Sequence, residues 1–179
     1  VMAQLETPLD AVIEAARLAK QHGKPFILNP APAQALPKEL LDLVDVLTPN
    51  AYELAISLGL SEKLSPEELV AQAPCQVVMT LGAKGALYSD ADRKQHQQSS
   101  FPVTPVDTTG AGDSFNAGYL AAMLAGADCA DRLHCHRYAG ISPPRPPVPC
   151  PIPPAATECA PNWSRVRDTA SASCVLVAR

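Results

Sequence analysis

Residues 106–120 read Val-Asp-Thr-Thr-Gly-Ala-Gly-Asp-Ser-Phe-Asn-Ala-Gly-Tyr-Leu, and these residue types in this order are suited to phosphoryl transfer. An extended run over 101–106 passes through Thr108 and Thr109 into Gly110-Ala111-Gly112. A helical pattern follows, with Phe115, Tyr119, Ala122 and Met123 on one face until Gly126 can end it. A glycine-rich turn that opens a helix presents free backbone N–H groups at the positive end of the helix dipole, and anions bind there. Asp113 falls in the first turn, where a carboxylate is electrostatically favoured. Amides that stabilise a moving phosphoryl group, beside a carboxylate that accepts a hydroxyl proton, make a phosphotransfer site for an alcohol. The same residues equally suit a plain helix start, because Gly and Asp are common caps. Neither Gly-x-x-x-x-Gly-Lys-Ser/Thr nor Gly-x-Gly-x-x-Gly occurs, which excludes a Walker A loop and a dinucleotide fingerprint.

The elements that must position this stretch alternate between strand and helix patterns. Val1–Leu5 is a short apolar run ending at Glu6, and Thr7-Pro8 is a helix-start signal. Leu9, Val12, Ile13, Ala16 and Ala19 then mark one helical face up to Gly23. Residues 25–28 have the length of a buried strand, and Asn29-Pro30-Ala31-Pro32 follows as an irregular loop. Leu36–Leu43 reads as a helix and Val44–Leu47 as a strand stopped by Thr48-Pro49-Asn50. Asn50 is placed to cap a helix carrying Glu53, Leu54 and Leu58, and Ser65 opens a shorter one over 66–73. Residues 76–81 form a further strand leading into Gly82-Ala83-Lys84-Gly85, whose glycines permit positive φ. Segments 86–89 and 101–106 complete the strands, with a polar loop between them.

Such alternation implies right-handed βαβ units and a parallel sheet covered on both faces, an α/β architecture with ligands at the carboxyl ends of the strands. Those ends carry Glu6, Asn29, Asn50 with Glu53, Thr80 with Gly82, and the residues from Asp107 to Asp113, which points to one shared site. Taken singly, Asn29 or Asn50 reads as an ordinary cap or turn residue.

Composition narrows the partners. A net charge of −4 supplies no basic field for nucleic acid or an anionic membrane. No apolar run reaches the length of a membrane span, and the first residues lack a signal-peptide pattern, which points to the cytoplasm. The chain begins as a strand already under way, as a fragment would. Cys129, His134, Cys135 and His136 invite a zinc reading, but they lack the paired spacing of structural zinc sites.

The string Asp107-Thr108-Thr109-Gly110-Ala111-Gly112-Asp113-Ser114-Phe115-Asn116-Ala117-Gly118 resembles the C-terminal signature of the ribokinase (PfkB) family of sugar kinases. The resemblance runs from Val1 to about Ala127, and Met2–Glu6, Asn29–Pro32 and Thr48–Asn50 share it. It implies a ribokinase-like three-layer sandwich with a mainly parallel sheet, here incomplete. It also implies transfer of the ATP γ-phosphoryl group to a hydroxyl of D-ribose, with Asp113 as catalytic base and Gly110, Ala111 and Gly112 as anion hole. Asn50, Thr80, Leu81, Gly82, Ala83, Lys84, Gly85 and Gly112 fall on nucleotide-binding positions, and Glu6 with Asp113 on sugar positions. Asp107 and Thr109 match positions that help hold K⁺, and Glu53 one that acts indirectly on Mg²⁺. A fructokinase or another sugar or nucleoside kinase of the family is the close alternative, and a non-catalytic nucleotide-binding fragment a further one.

Two departures from the family pattern bear on activity. The part that supplies the first strands, the dimer-forming lid and most sugar contacts is absent, so impaired or absent catalysis is expected. From residue 128 the chain becomes rich in Pro, Cys and Arg; His134–Arg179 holds nine prolines, four cysteines, five arginines and no lysine. Such a stretch reads as disordered or polyproline-like, or, with Pro143–Pro147, as a Pro-rich recognition arm. A third reading is out-of-frame translation. Shifting the codons of His134–Ala139 by one base yields a small, helix-compatible string in their place.

Overall fold

The computed structural model describes residues 1–100 and 108–127. These fall in two compact units, the first holding the described residues up to 100 and the second those from 108 onward. The strand expected over 101–106, the expected K⁺ residue Asp107 and everything from 128 to 179 lie outside the described residues.

In the first unit the order is β1 (Met2–Gln4), α1 (Leu9–Gln21), β2 (Ile27–Asn29), α2 (Lys38–Leu41), β3 (Val46–Leu47), α3 (Ala51–Leu58), α4 (Pro66–Gln72), β4 (Gln76–Thr80), β5 (Ala86–Ser89) and β6 (Gln95–Gln98). The six strands lie in sequence order in one sheet. β1 to β4 pair in parallel, so each return to the sheet passes through helix, as the alternation requires. The registers Ala3↔Leu28, Leu28↔Leu47 and Leu47↔Val77 set one apolar row across the sheet. That row belongs to a core shared with Val12, Ala16 and Ala19 of α1, Leu40 of α2, Leu54 of α3 and Leu69 of α4. The apolar face read on the first helix is therefore the buried one; Leu9 and Ile13 join it half-buried.

The sheet is mainly parallel, as expected, and turns antiparallel at its far side, where β4–β5 and β5–β6 pair. Only tight turns join these strands, and a parallel return needs a crossover of a dozen or more residues. The supposed polar loop between 89 and 101 contains β6. Its Gln-His-Gln-Gln sequence has no apolar alternation, so no local signal marks it. It is a strand because β5 offers a ladder from Ala86↔Gln98 to Ser89↔Gln95, with Tyr88 and His96 stacked 5.0 Å apart. α2 is also shorter than the helix expected over 36–43, since Pro37 sits at its N-cap in extended conformation. Asn29 is neither a cap nor a turn residue; it ends β2 and is buried.

In the second unit, α5 (Ala111–Leu124) is the described helix. Tyr119 and Ala122 are buried as expected, but Asn116 is the third buried position, while Phe115 and Met123 are only half-buried. Among the described residues no helix is long and apolar enough to cross a membrane.

Candidate functional site

The carboxyl ends of β1 to β4 carry the polar residues that the sequence marks. Glu6 follows β1 and is exposed. Asn50 follows β3 and forms an isolated parallel bridge with Thr80 at the end of β4. The Thr80 N–H donates to Pro49 O at 2.9 Å, so these two strand ends are fastened together just where Asn50 begins α3. Glu6 follows a strand two places from β3, roughly 10 Å away at ordinary strand spacing.

Asn50 and Glu53 form a capping box. Asn50 Oδ1 accepts from the Glu53 N–H, and Glu53 Oε2 accepts from the Asn50 N–H, both at 2.8 Å. The capping reading of Asn50 is thus correct, and it sets the side chains rather than excluding them from a ligand. Nδ2 of Asn50 and Oε1 of Glu53 remain outside the box. Ser65 and Glu68 repeat the arrangement on α4, far from any expected chemistry.

The turn after β4 is built from its own backbone. Leu81 N–H donates to Gly85 O at 2.8 Å, Lys84 N–H to Leu81 O at 3.2 Å and Gly85 N–H to Gly82 O at 3.0 Å. Both glycines need positive φ, 57° at Gly82 and 98° at Gly85. Gly85 also lies against the chain beyond β6: a Cβ there would sit 1.9 Å from Gln98 O. The Ser100 hydroxyl donates to Ala83 O and closes the turn from the same side. Gly82, Ala83 and Lys84 are exposed.

In the second unit α5 starts at Gly110 with φ 73° and no side-chain cap. Gly110 is thus the N-cap that the plain helix-start reading allows, and as a left-handed glycine it turns the chain into the helix. Ala111 N–H donates to Thr108 O at 3.1 Å and Ser114 N–H to Gly110 O at 2.9 Å. Thr109, Gly110, Ala111, Gly112 and Asp113 are exposed, and Asp113 stands in the first turn where the helix dipole favours its charge.

Two further features bound the chemistry. Burial pushes the Cys75 thiol up to about 12, which leaves it protonated and unsuited to nucleophilic work. Among the described residues no cluster of three or more His, Cys, Asp or Glu side chains could hold a metal, and Cys129, His134, Cys135 and His136 lie outside them. At the β5–β6 turn, Asp90 Oδ2 meets His96 Nε2 at 2.7 Å, and Asp90 Oδ1 accepts from the Lys94 N–H at 2.9 Å. These bonds, the His96 contact first, hold the Asp90 carboxyl below its ordinary value. A lowered carboxyl pKa stabilises the fold above the unfolded value, and this contribution is lost as pH falls through the folded one. Amide exchange at Lys94 and Gln95 is therefore expected to lose protection on acidification below about pH 4, earlier in His96→Ala than in the native chain. Equal loss in both would remove His96 from the account.

Two side chains escaped the sequence reading. Gln4 and Thr48 each end an apolar strand run, and with Asn29 between them they make a polar row across three neighbouring strands. A polar residue closing each of several consecutive strand runs is the signal that could have shown it.

Polar residues gathered at the carboxyl ends of parallel strands, on a sheet with crossover helices, define the class of α/β proteins whose ligands bind outside those ends. A comparison with family profiles matches residues 2–139 to the pfkB family carbohydrate kinases, past the Ala127 limit set by the motifs. The chain belongs to that family. It is 41% identical over 143 residues to a ribokinase of Bacillus subtilis, covering 79% of this chain and 47% of the relative. It is 42% identical over 132 residues to a ribokinase of Haemophilus influenzae, covering 69% and 42%. Among solved structures, Arabidopsis thaliana ribokinase complexed with ribose and ATP superposes with a TM-score of 0.70 at 35% identity, over 76% of this chain and 46% of that one. The chain thus spans about half the length of the relatives it matches.

Proposed function

We infer that this chain carries the nucleotide-binding and proton-accepting residues of an ATP-dependent D-ribose kinase, producing D-ribose 5-phosphate. The observation that carries the reading is the fastening of Asn50 to Thr80, which sets the Asn50–Glu53 box beside the 81–85 turn, in a chain 41% identical to a ribokinase. Asn50, Thr80, Leu81, Gly82, Ala83, Lys84, Gly85 and Gly112 are assigned to ATP. Glu6 orients the sugar, and Gly110, Ala111 and Gly112 offer amides to the transferred group. Asp113 accepts the proton of the attacking hydroxyl.

Oxygen donors suit Mg²⁺, and Glu53 keeps Oε1 outside its capping bond, so the residues present fit that ion acting through Glu53. Mg²⁺ when bound neutralises phosphate charge. Thr109 and Asp107 are assigned to K⁺.

The test is calorimetric titration of the purified chain with MgATP, then product analysis with D-ribose or D-fructose in Mg²⁺ and K⁺. MgATP binding with D-ribose 5-phosphate formed in preference is the expected result. Preference for D-fructose would favour the fructokinase reading. Binding without product would leave a nucleotide-binding protein, and a folded chain that ignores MgATP would overturn the proposal.

A further inference from the structure

Asn29 occupies a position where an apolar residue would serve packing better. Two residues back along each strand, and so on the same face of the sheet, stand Met2, Ile27 and Val46, with Ile27 fully buried. Gln4, Asn29 and Thr48 follow them on that face, and Asn29 and Thr48 are 8% and 2% exposed. Burying polar groups costs free energy unless each finds a partner. The Asn29 carboxamide finds one on each side, whereas the buried Thr48 hydroxyl has none among the described residues. Gln4 Nε2 donates to Asn29 Oδ1 at 3.1 Å, and Asn29 Nδ2 donates to Thr48 O at 2.6 Å. The Gln4 bond fixes which way the Asn29 carboxamide faces, so that its donor side meets Thr48.

The consequence falls on Asn50. Two consecutive carbonyls precede it, and each is held from a different strand: Thr48 O by the Asn29 side chain and Pro49 O by the Thr80 N–H. Pro49 itself has no N–H to add a third tie. Thr48 O is therefore the one hydrogen-bonding group of the peptide between Thr48 and Pro49, and without the Asn29 bond that peptide is tied only through its neighbours. Its tilt sets where the Asn50–Glu53 box points.

The geometry points to Asn29 as a positioning residue for the phosphate and Mg²⁺ end of the nucleotide, oriented by Gln4 and acting through Asn50 and Glu53. This rests on the nucleotide reading of those two residues. Asn29 touches no ligand in this account; it determines how well the box meets one.

The experiment measures the affinity of the purified chain for ATP with Mg²⁺ and with EDTA, for the native sequence, Asn29→Leu and Gln4→Leu, alongside thermal melting. Leucine keeps the branched skeleton of Asn29 and removes both its donor and its acceptor. The expected result for Asn29→Leu is about a tenfold loss of MgATP affinity, with metal-free ATP within about twofold of native. Gln4→Leu, on a half-buried edge strand and so able to fold even if the first variant does not, should lose about threefold in the same direction. A purely structural role would lower both affinities together and leave their ratio unchanged. That result in either folded variant, or unchanged MgATP affinity, overturns the assignment. Failure of the native chain to bind MgATP would instead overturn the nucleotide reading on which the assignment rests.

Discussion

Replacing Asp113 by asparagine is expected to lower ribose-dependent ATP turnover by about a hundred- to ten-thousand-fold, the range a positioned general base contributes. The substitution keeps the shape of the side chain and removes its ability to take a proton. MgATP affinity should stay within about twofold, because the residues assigned to the nucleotide are left in place. The helix-dipole interaction of the carboxylate at the start of α5 is worth only about 0.3–1 kcal/mol, so melting should shift by a few degrees at most. Turnover and binding measured on the same preparation separate the two effects. If turnover survives the change, Asp113 is not the base, and the reading of 110–113 reduces to a helix start.

Gly85→Ala should be the most damaging of the glycine-to-alanine changes in the first unit. The added Cβ would lie 1.9 Å from Gln98 O and 2.7 Å from Ser100 N, both backbone atoms that cannot swing aside. It would also force alanine into φ 98°, a conformation side chains rarely adopt. Overpacking costs about 1–3 kcal/mol and strained backbone a similar amount, so about 2–6 kcal/mol of destabilisation is expected. For a unit of this size that lowers Tm by about 10 °C or more. Gly82→Ala is the control. Gly82 also has positive φ, at 57°, but a Cβ there meets nothing within 4 Å, so only the backbone penalty of about 1–2 kcal/mol applies. Thermal melts of both variants decide the matter. Equal losses would mean that the close approach of the 85 and 98–100 segments is not what the turn depends on.

The features legible in the sequence were those written within a few residues of themselves. Asn50 with Glu53 encodes a capping box because a side chain three positions on can reach back, and the structure forms it. The spacing of Val12, Ala16 and Ala19 encodes a buried helix face, and Gly82 and Gly85 encode positive φ. The order of strands and helices through β4 followed from apolar run length and the helices between runs. Other features depended on which distant segments meet. β6 has no pattern of its own and becomes a strand because β5 presents unpaired backbone groups to it. Gly85 needs to be glycine for two reasons, and the second, the backbone of 98–100 pressed against it, comes from more than ten residues away. Asn29 looked like a loop residue beside Pro30. Register alone brought Gln4 to one side of it and Thr48 to the other, and made it a buried tie between strand ends. Local sequence sets what each segment can do with its own hydrogen bonds. The sheet decides which remaining donors and acceptors face one another, because pairing in a parallel ladder is a relation between segments separated by whole helices.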